Sequence, residues 1–365
     1  MQVKLLDLQA QYAPLREEIR RAIDQVCDAQ AFIGGPALER FEKNLAAYCG
    51  TKHAIGVSSG TDAILAALMA LDIKAGDEVI VPAFTFFATA GCVSRLGATP
   101  VFADIDPRTF NIDPAAIQKK ITRRTKAIMP VHLYGQVADM DAINRLAADH
   151  GLAVVEDAAQ AIGAKRHGKR ACSLGRIGCL SFYPTKNLGA FGDAGAICTD
   201  DDALAHRCRM IRTHGEEPRY YHKFVGANFR LDALQAAVLD IKLRHLESWH
   251  EARRRHAALY DELFAGTPVR APHVEPCNWS VYNQYVVRLA NRDRVREHLA
   301  KQNVGSFIYY PLSLHLQECF ANLGGKAGDM PQSEAACREV LALPVYPELA
   351  QEQVRFVAAE VLKAA

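Results

Sequence analysis

Between Thr51 and Thr199 short apolar, β-branched runs alternate with stretches whose apolar residues recur at helical spacing. The runs are Ala54–Val57, Glu78–Val81, Thr99–Ala103, Ala127–Val131, Ala153–Val155, Cys179–Phe182 and Gly195–Cys198; helical stretches such as Thr61–Leu71 and Phe86–Leu96 fall between them. Strands alternating with helices predict an α/β fold, with a mostly parallel sheet sandwiched by helices in a large domain. Such a sheet binds its ligand at the carboxyl ends of its strands, so chemistry is expected in the residues just after each apolar run.

From Leu231 to Phe264 the chain has few breakers and apolar residues at helical spacing (Leu234, Val238, Ile241, Leu246, Leu259), which predicts one or two helices. The breakers Gly266-Thr267-Pro268 and Ala271-Pro272 follow. Beyond them the alternation of Tyr285–Leu289 and the helical stretches Val295–Gln302 and Ser333–Leu341 predict a smaller C-terminal α/β domain. The boundary is placed near residue 245, giving a large domain over 1–245 and a small one over 246–365. No internal repeat or low-complexity segment interrupts the pattern.

With 365 residues, half of them hydrophobic and 23% charged, the chain has the composition of a globular protein with a large core. Lys and Arg number 43 against 41 Asp and Glu, so the formal charge of +2 provides no field to gather nucleic acid or an anionic membrane. Ten scattered cysteines form no C-x-x-C pair and no metal-like spacing with histidine, so they are expected to be reduced and mostly buried, with no metal. The segment Met1–Asp7 lacks the apolar run of a signal peptide, and no later stretch is apolar for long enough to span a bilayer. A cytoplasmic location is therefore expected.

Four segments carry candidate chemistry. In Val154–Gln160 an apolar strand ends in Asp157, an acid able to hold a ring nitrogen protonated; taken alone it reads as an N-cap or surface acid. In Ser181–Gly189 a strand runs into a turn that exposes Lys186, whose amine suits a Schiff base and a proton shuttle, although a lone lysine is usually just solvated. The order of strand-Asp followed by strand-turn-Lys in one sheet is far more specific than either piece. Val57–Ala63 places Ser, Gly and Thr at a helix start, where free N–H groups suit a phosphate or simply a cap. Pro82–Phe87 offers an aromatic face to a planar ring, with a core role expected for at least two of its three phenylalanines.

On these residues the chain resembles the DegT-type nucleotide-sugar aminotransferases of pyridoxal 5′-phosphate (PLP) fold type I. The resemblance runs from Phe32-Ile33-Gly34-Gly35-Pro36 to Leu343-Pro344 and is densest at Ser59–Ala63, Pro130–Gln136, Glu156–Gln160, Ser181–Gly189 and Arg230-Leu231-Asp232. It implies that Lys186 forms the Schiff base with PLP, Asp157 pairs with the pyridine nitrogen, Gln160 bonds the ring hydroxyl and Phe86 stacks on the ring. It implies a phosphate held by Gly60, Thr61 and Ser181, with Asn228 reaching across from a second subunit, and hence a homodimer with shared active sites. Arg230 would face the substrates, where a guanidinium suits a carboxylate. Tyr309 and His315 fall in the loop expected to touch the sugar or nucleotide; many relatives carry His in place of Tyr309, and His315 reads equally as a surface histidine.

The implied activity is transamination of a nucleotide-linked keto sugar with L-glutamate as donor, in two half-reactions with ping-pong kinetics. Lys186 speaks against a dehydrating branch of the family that resembles this one with His at that position. Val131–Gln136 and Arg219–His222 look more like members acting at C3 than at C4, which favours a 3-keto sugar on UDP or dTDP, for surface polysaccharide by family analogy. Two alternatives are carried: a C4 aminotransferase on a 4-keto-6-deoxy sugar, and a PLP-bound regulatory or sensor protein.

Overall fold

The computed structural model describes all 365 residues. Seven strands, β1 (His53–Val57), β2 (Glu78–Pro82), β3 (Thr99–Ala103), β4 (Thr125–Ile128), β5 (Ala153–Asp157), β6 (Ile177–Ser181) and β7 (Gly195–Thr199), form one sheet in the order β1-β7-β6-β5-β4-β2-β3. The pairs β2 with β3, β2 with β4, β4 with β5 and β5 with β6 are parallel, and only β7 runs against its neighbours β6 and β1. Because Ser181 pairs with Gly195, the residues between β6 and β7 form a single loop at the carboxyl edge of the parallel strands, and Lys186 lies in it.

The apolar runs coincide with the strands because both faces of the sheet are buried. Along β2, Ile80 packs on one face, while Val79 and Val81 pack on the other, as the period of two requires. The first face also gathers Ile128, Val154 and Leu180 under the helices Gly35–Cys49, Met140–His150 and Ala233–Leu243. The second gathers Ile55, Val155, Cys179 and Ile197 under Gly60–Ala70, Ala88–Arg95 and Asp202–Arg212. The strand expected over Ala127–Val131 stops at Ile128, since Pro130 has no N–H for the ladder, and Val131 rejoins only as a single bridge to Asp157.

The segment from Leu231 to Phe264 forms two helices, Ala233–Leu243 and Leu246–Phe264, broken at Arg244-His245. The second helix contributes Ala257, Tyr260 and Phe264 to a separate core. That core surrounds a two-stranded antiparallel sheet, β8 (Tyr285–Arg288) and β9 (Val340–Leu343), and is covered by the helices Arg292–Lys301 and Gln351–Ala364. Val3 joins the same core and bridges Val304, so the N-terminal residues pack with this unit. All ten cysteines are unpaired and seven are buried. No helix is long and apolar enough to cross a membrane.

Candidate active site

A cavity of about 1040 Å³ opens at the carboxyl edge of the sheet, and Gly60, Thr61, Phe86, Asp157, Gln160, Ser181, Lys186 and Tyr309 all line it. Eight of the eleven expected site residues thus meet in one place. Asn228, Arg230 and His315 are not in the lining.

Asp157 ends β5 and is 3% exposed. Its Oδ2 accepts from Thr89 Oγ1 at 2.7 Å and its Oδ1 from the Ala159 amide at 3.2 Å. Burial pushes its carboxyl up; the Thr89 and Ala159 bonds and the positive field of Lys186 oppose this. A buried carboxylate without a full counter-charge is costly, and a cationic ring nitrogen is the group that would relieve it. Burial likewise drives the Lys186 amine down to about 8, with Asp157 opposing. An amine of that basicity is uncharged in a useful fraction near neutrality, as attack on a carbonyl requires.

β5 is held from its other face by Glu156, which is fully buried. Glu156 accepts from the amides of Cys172 at 2.8 Å, Leu174 at 2.8 Å and Gly175 at 2.6 Å, and pairs with His132 Nε2 at 2.8 Å. Because the Ala138 amide donates to His132 Nδ1 at 3.2 Å, the ring proton sits on Nε2 and points at Glu156. Adjacent acids on one strand face opposite ways, so one fixes the strand while the other enters the cavity.

The helix Gly60–Ala70 starts against β6. Ser59 caps it, accepting from the Asp62 amide at 3.0 Å, which leaves the amides of the first turn without intrahelical partners. A Cβ on Gly60 would fall 2.5 Å from Ser181 Cβ, so the glycine is what lets the helix start and Ser181 share one wall. Free N–H groups, a helix dipole and a hydroxyl together fit a phosphate.

Gln160 Oε1 accepts from the Tyr134 amide at 2.7 Å, which turns Nε2 toward the cavity, where it donates to Tyr310 Oη at 3.0 Å. A donor aimed there fits a ring hydroxyl. Phe86 is 57% exposed in the cavity wall, a large apolar face that a planar ring would cover. The expected core role for two of the three phenylalanines is corrected: only Phe84 is buried, and Phe87 joins Phe86 in the lining because both sit at the edge where the chain turns into the helix Ala88–Arg95. The donor set therefore fits PLP on all four counts of nitrogen, hydroxyl, phosphate and ring face.

Thr89 and Tyr310 went unrecognised in the sequence. Thr89 is the second residue of the helix Ala88–Arg95, and its only signal is a hydroxyl residue among small ones; Tyr310 is signalled only by following Tyr309. The three residues outside the lining have definite places. Asn228 is exposed and bridges Thr213, and Arg230 bridges Val57 with its Nε buried and unpartnered. His315 is buried, with Nδ1 2.8 Å from Ser313 Oγ and Nε2 3.3 Å from Glu334.

The family described as the DegT/DnrJ/EryC1/StrS aminotransferase family matches residues 14–362. Over 360 residues the chain is 51% identical to the pleiotropic regulatory protein of Geobacillus stearothermophilus, covering 98% of this chain and 97% of that one. Over 356 residues it is 44% identical to the UDP-N-acetyl-3-dehydro-alpha-D-glucosamine 3-aminotransferase of Acidithiobacillus ferrooxidans, covering 98% and 96%. The crystal structure of DesV from S. venezuelae in complex with a ketimine intermediate superposes with a TM-score of 0.97 at 44% identity, covering 99% of this chain and 98% of that one.

Proposed function

The chain belongs to the DegT/DnrJ/EryC1/StrS aminotransferase family, and on that premise we propose that it moves an amino group from L-glutamate to C3 of a 3-keto sugar linked to UDP or dTDP, for amino-sugar biosynthesis. It is an aminotransferase of PLP fold type I, and its cofactor is PLP. The observation that carries the reading is the meeting of Lys186, with its lowered basicity, and the buried Asp157 in one cavity with a helix start free to take a phosphate. The C3 assignment is supported by the relatives named for 3-amino and 3-oxo sugars, which do not favour the C4 alternative.

When bound, PLP supplies a carbonyl for the amine and a cationic ring that takes up the electron pair of the donor's α C–H bond. Lys186 Nζ would hold it and, once free, would carry the proton from the donor's α-carbon to the cofactor, and move a proton the opposite way, from cofactor to sugar carbon, in the second half-reaction. Asp157, steadied by Thr89 and the Ala159 amide, would keep negative charge at the ring nitrogen. Gln160 Nε2 would donate to the ring hydroxyl, Gly60, Thr61 and Ser181 would hold the phosphate, and Phe86 would cover the ring and exclude water. Asn228, exposed on its own chain, would complete a neighbour's phosphate site in a homodimer. Arg230 would offer its guanidinium to a substrate carboxylate, and Tyr309 would meet the sugar. His315, with Nδ1 2.8 Å from Ser313 Oγ, would steady the loop that follows Tyr309. Ten unpaired cysteines accord with a reducing compartment, and we place the enzyme in the cytoplasm.

The test is the visible spectrum of the PLP-bound protein before and after L-glutamate, beside Lys186→Ala. Loss of the PLP band in the wild type alone supports the reading, and a panel of 3-keto and 4-keto nucleotide sugars then decides the carbon. PLP that binds but ignores glutamate withdraws Lys186 as a proton shuttle and favours a regulatory role, the one named for the Geobacillus stearothermophilus relative.

A further inference from the structure

A second lysine is buried beside the turn that carries Lys186. Lys242, in the last turn of the helix Ala233–Leu243, is 5% exposed and donates from Nζ to the Gly189 carbonyl. Its ammonium lies 5.8 Å from the Phe191 ring centroid and 6.0 Å from that of Trp249. Burial lowers its basicity to about 8, opposed by the field of Glu348. Desolvating an ammonium is expensive, and the mechanism above gives this one no task.

Its surroundings supply one. The turn from Pro184 to Gly189 is closed on itself: a Cβ on Gly189 would strike the Pro184 carbonyl, and the Lys186 amide donates to Tyr183 O at 2.8 Å. One flank is held by Asn187, whose Nδ2 donates to Val281 O at 3.1 Å and whose Oδ1 accepts from Asn283 Nδ2 at 2.8 Å. The other flank is held by a single helix. Gln235, two turns before Lys242, accepts from the Phe191 amide at 2.8 Å, and Lys242 takes the Gly189 carbonyl. Lys186 precedes both grips, one residue before Asn187 and three before Gly189. Polar residues reach the turn from both flanks, but Lys242 is the only charged one bonded to it, and a charge-assisted bond is the stiffest available.

We propose that Lys242 is a positioning residue for Lys186: by holding the Gly189 carbonyl it fixes the turn that aims the Lys186 amine at the reacting carbon. The proposal rests on the reading of Lys186 as the proton shuttle. Proton transfer demands near-attack geometry, and a displacement of about 1 Å in such a group can lower a rate by roughly a hundredfold.

The experiment is stopped-flow decay of the PLP band with L-glutamate in the wild-type holoenzyme, Lys242→Met and Lys242→Arg, with thermal melting recorded alongside. Methionine keeps the apolar stem and removes the donor, whereas arginine keeps a charged donor. Expected for Lys242→Met is a limiting rate at least roughly tenfold lower, with the half-saturating glutamate concentration within about twofold, and recovery of most of the rate in Lys242→Arg. A Lys242→Met limiting rate within about twofold of wild type overturns the proposal, whatever the melting temperature. Should Lys242→Met not fold, Lys242→Gln, whose amide is too short to reach, is judged by the same criteria; failure of both to fold assigns the lysine to stability and also overturns the proposal. A wild type that ignores glutamate removes the Lys186 reading and this one together, whereas a responsive wild type with an unaltered variant removes only this one.

Discussion

Lys186 is the residue at which burial and chemistry meet most directly. Its amine titrates near 8 in the fold, against about 10.4 in an unfolded chain. Below pH 8 both states bind the proton, and the fold carries the full penalty of a desolvated charge. Between about 8 and 10.4 the unfolded chain binds more proton, so stability rises with pH; above that range the penalty is gone. PLP-free Lys186→Met is therefore expected to be more stable than PLP-free wild type by about 1–3 kcal/mol at pH 7, with the gap closing by about pH 10.5. Thermal melts of the two apo proteins at both pH values check this, and equal melting at pH 7 would mean that the amine is solvated. Lys186 and Asp157 were legible in the sequence because each closes or follows a strand run at the edge where ligands bind, and Gln160 only through the family resemblance. Thr89 and Tyr310 were not, because they act on Asp157 and Gln160 from chain positions 68 and 150 residues away, and no local pattern encodes that distance.

At the scale of elements, the start of the helix Gly60–Ala70 determines where an anion is held. Ser59 caps it, and Gly60 lets it approach β6 until an added Cβ would stand 2.5 Å from Ser181 Cβ. Gly60→Ala must push the helix away from Ser181, so the apparent affinity of the apo protein for PLP is expected to fall by roughly tenfold or more, about 1.4 kcal/mol. A titration followed by visible absorbance checks it, and an unchanged affinity would place the phosphate elsewhere. Most strands sit within a residue or two of their sequence-read positions, since a sheet buried on both faces has apolar runs as long as its ladders. The exceptions have physical causes. Pro130 ended β4 early, and Phe87, apolar enough to read as core, joins Phe86 on a cavity that only the assembled sheet edge creates. The division near residue 245 remains our reading, and the entry of Val3 into the second core is a long-range packing event that no stretch of local sequence announces.

For the whole molecule, the surface around Asn228 is difficult to reconcile with a chain that works alone. Tyr220 is 74% exposed, Tyr221 70% and Val225 91%, in the loop that leads to Asn228. Ile33, 56% exposed, is tied by a bridge to Asp232, and Phe32 O accepts from the Ala233 amide, which brings both beside Arg230-Leu231-Asp232. Large apolar side chains left in water around a segment for which we propose a role in the site suit an interface, and a twofold dimer would offer the same surface twice. If Asn228 serves the neighbouring cavity, a chain lacking Lys186 still donates a good Asn228, and a chain with a damaged Asn228 still donates a good Lys186. Lys186→Ala and Asn228→Asp homodimers are each expected to be nearly inactive, the second because a carboxylate would repel the phosphate. Unfolded together and refolded at equal amounts, half the dimers should be mixed, and each mixed dimer holds one intact site of two. Activity should then return to about a quarter of wild type, measured as aminated nucleotide sugar per chain. Recovery near that fraction requires sites built from two chains, and none at all would confine each site to one chain and leave the exposed loop to another partner.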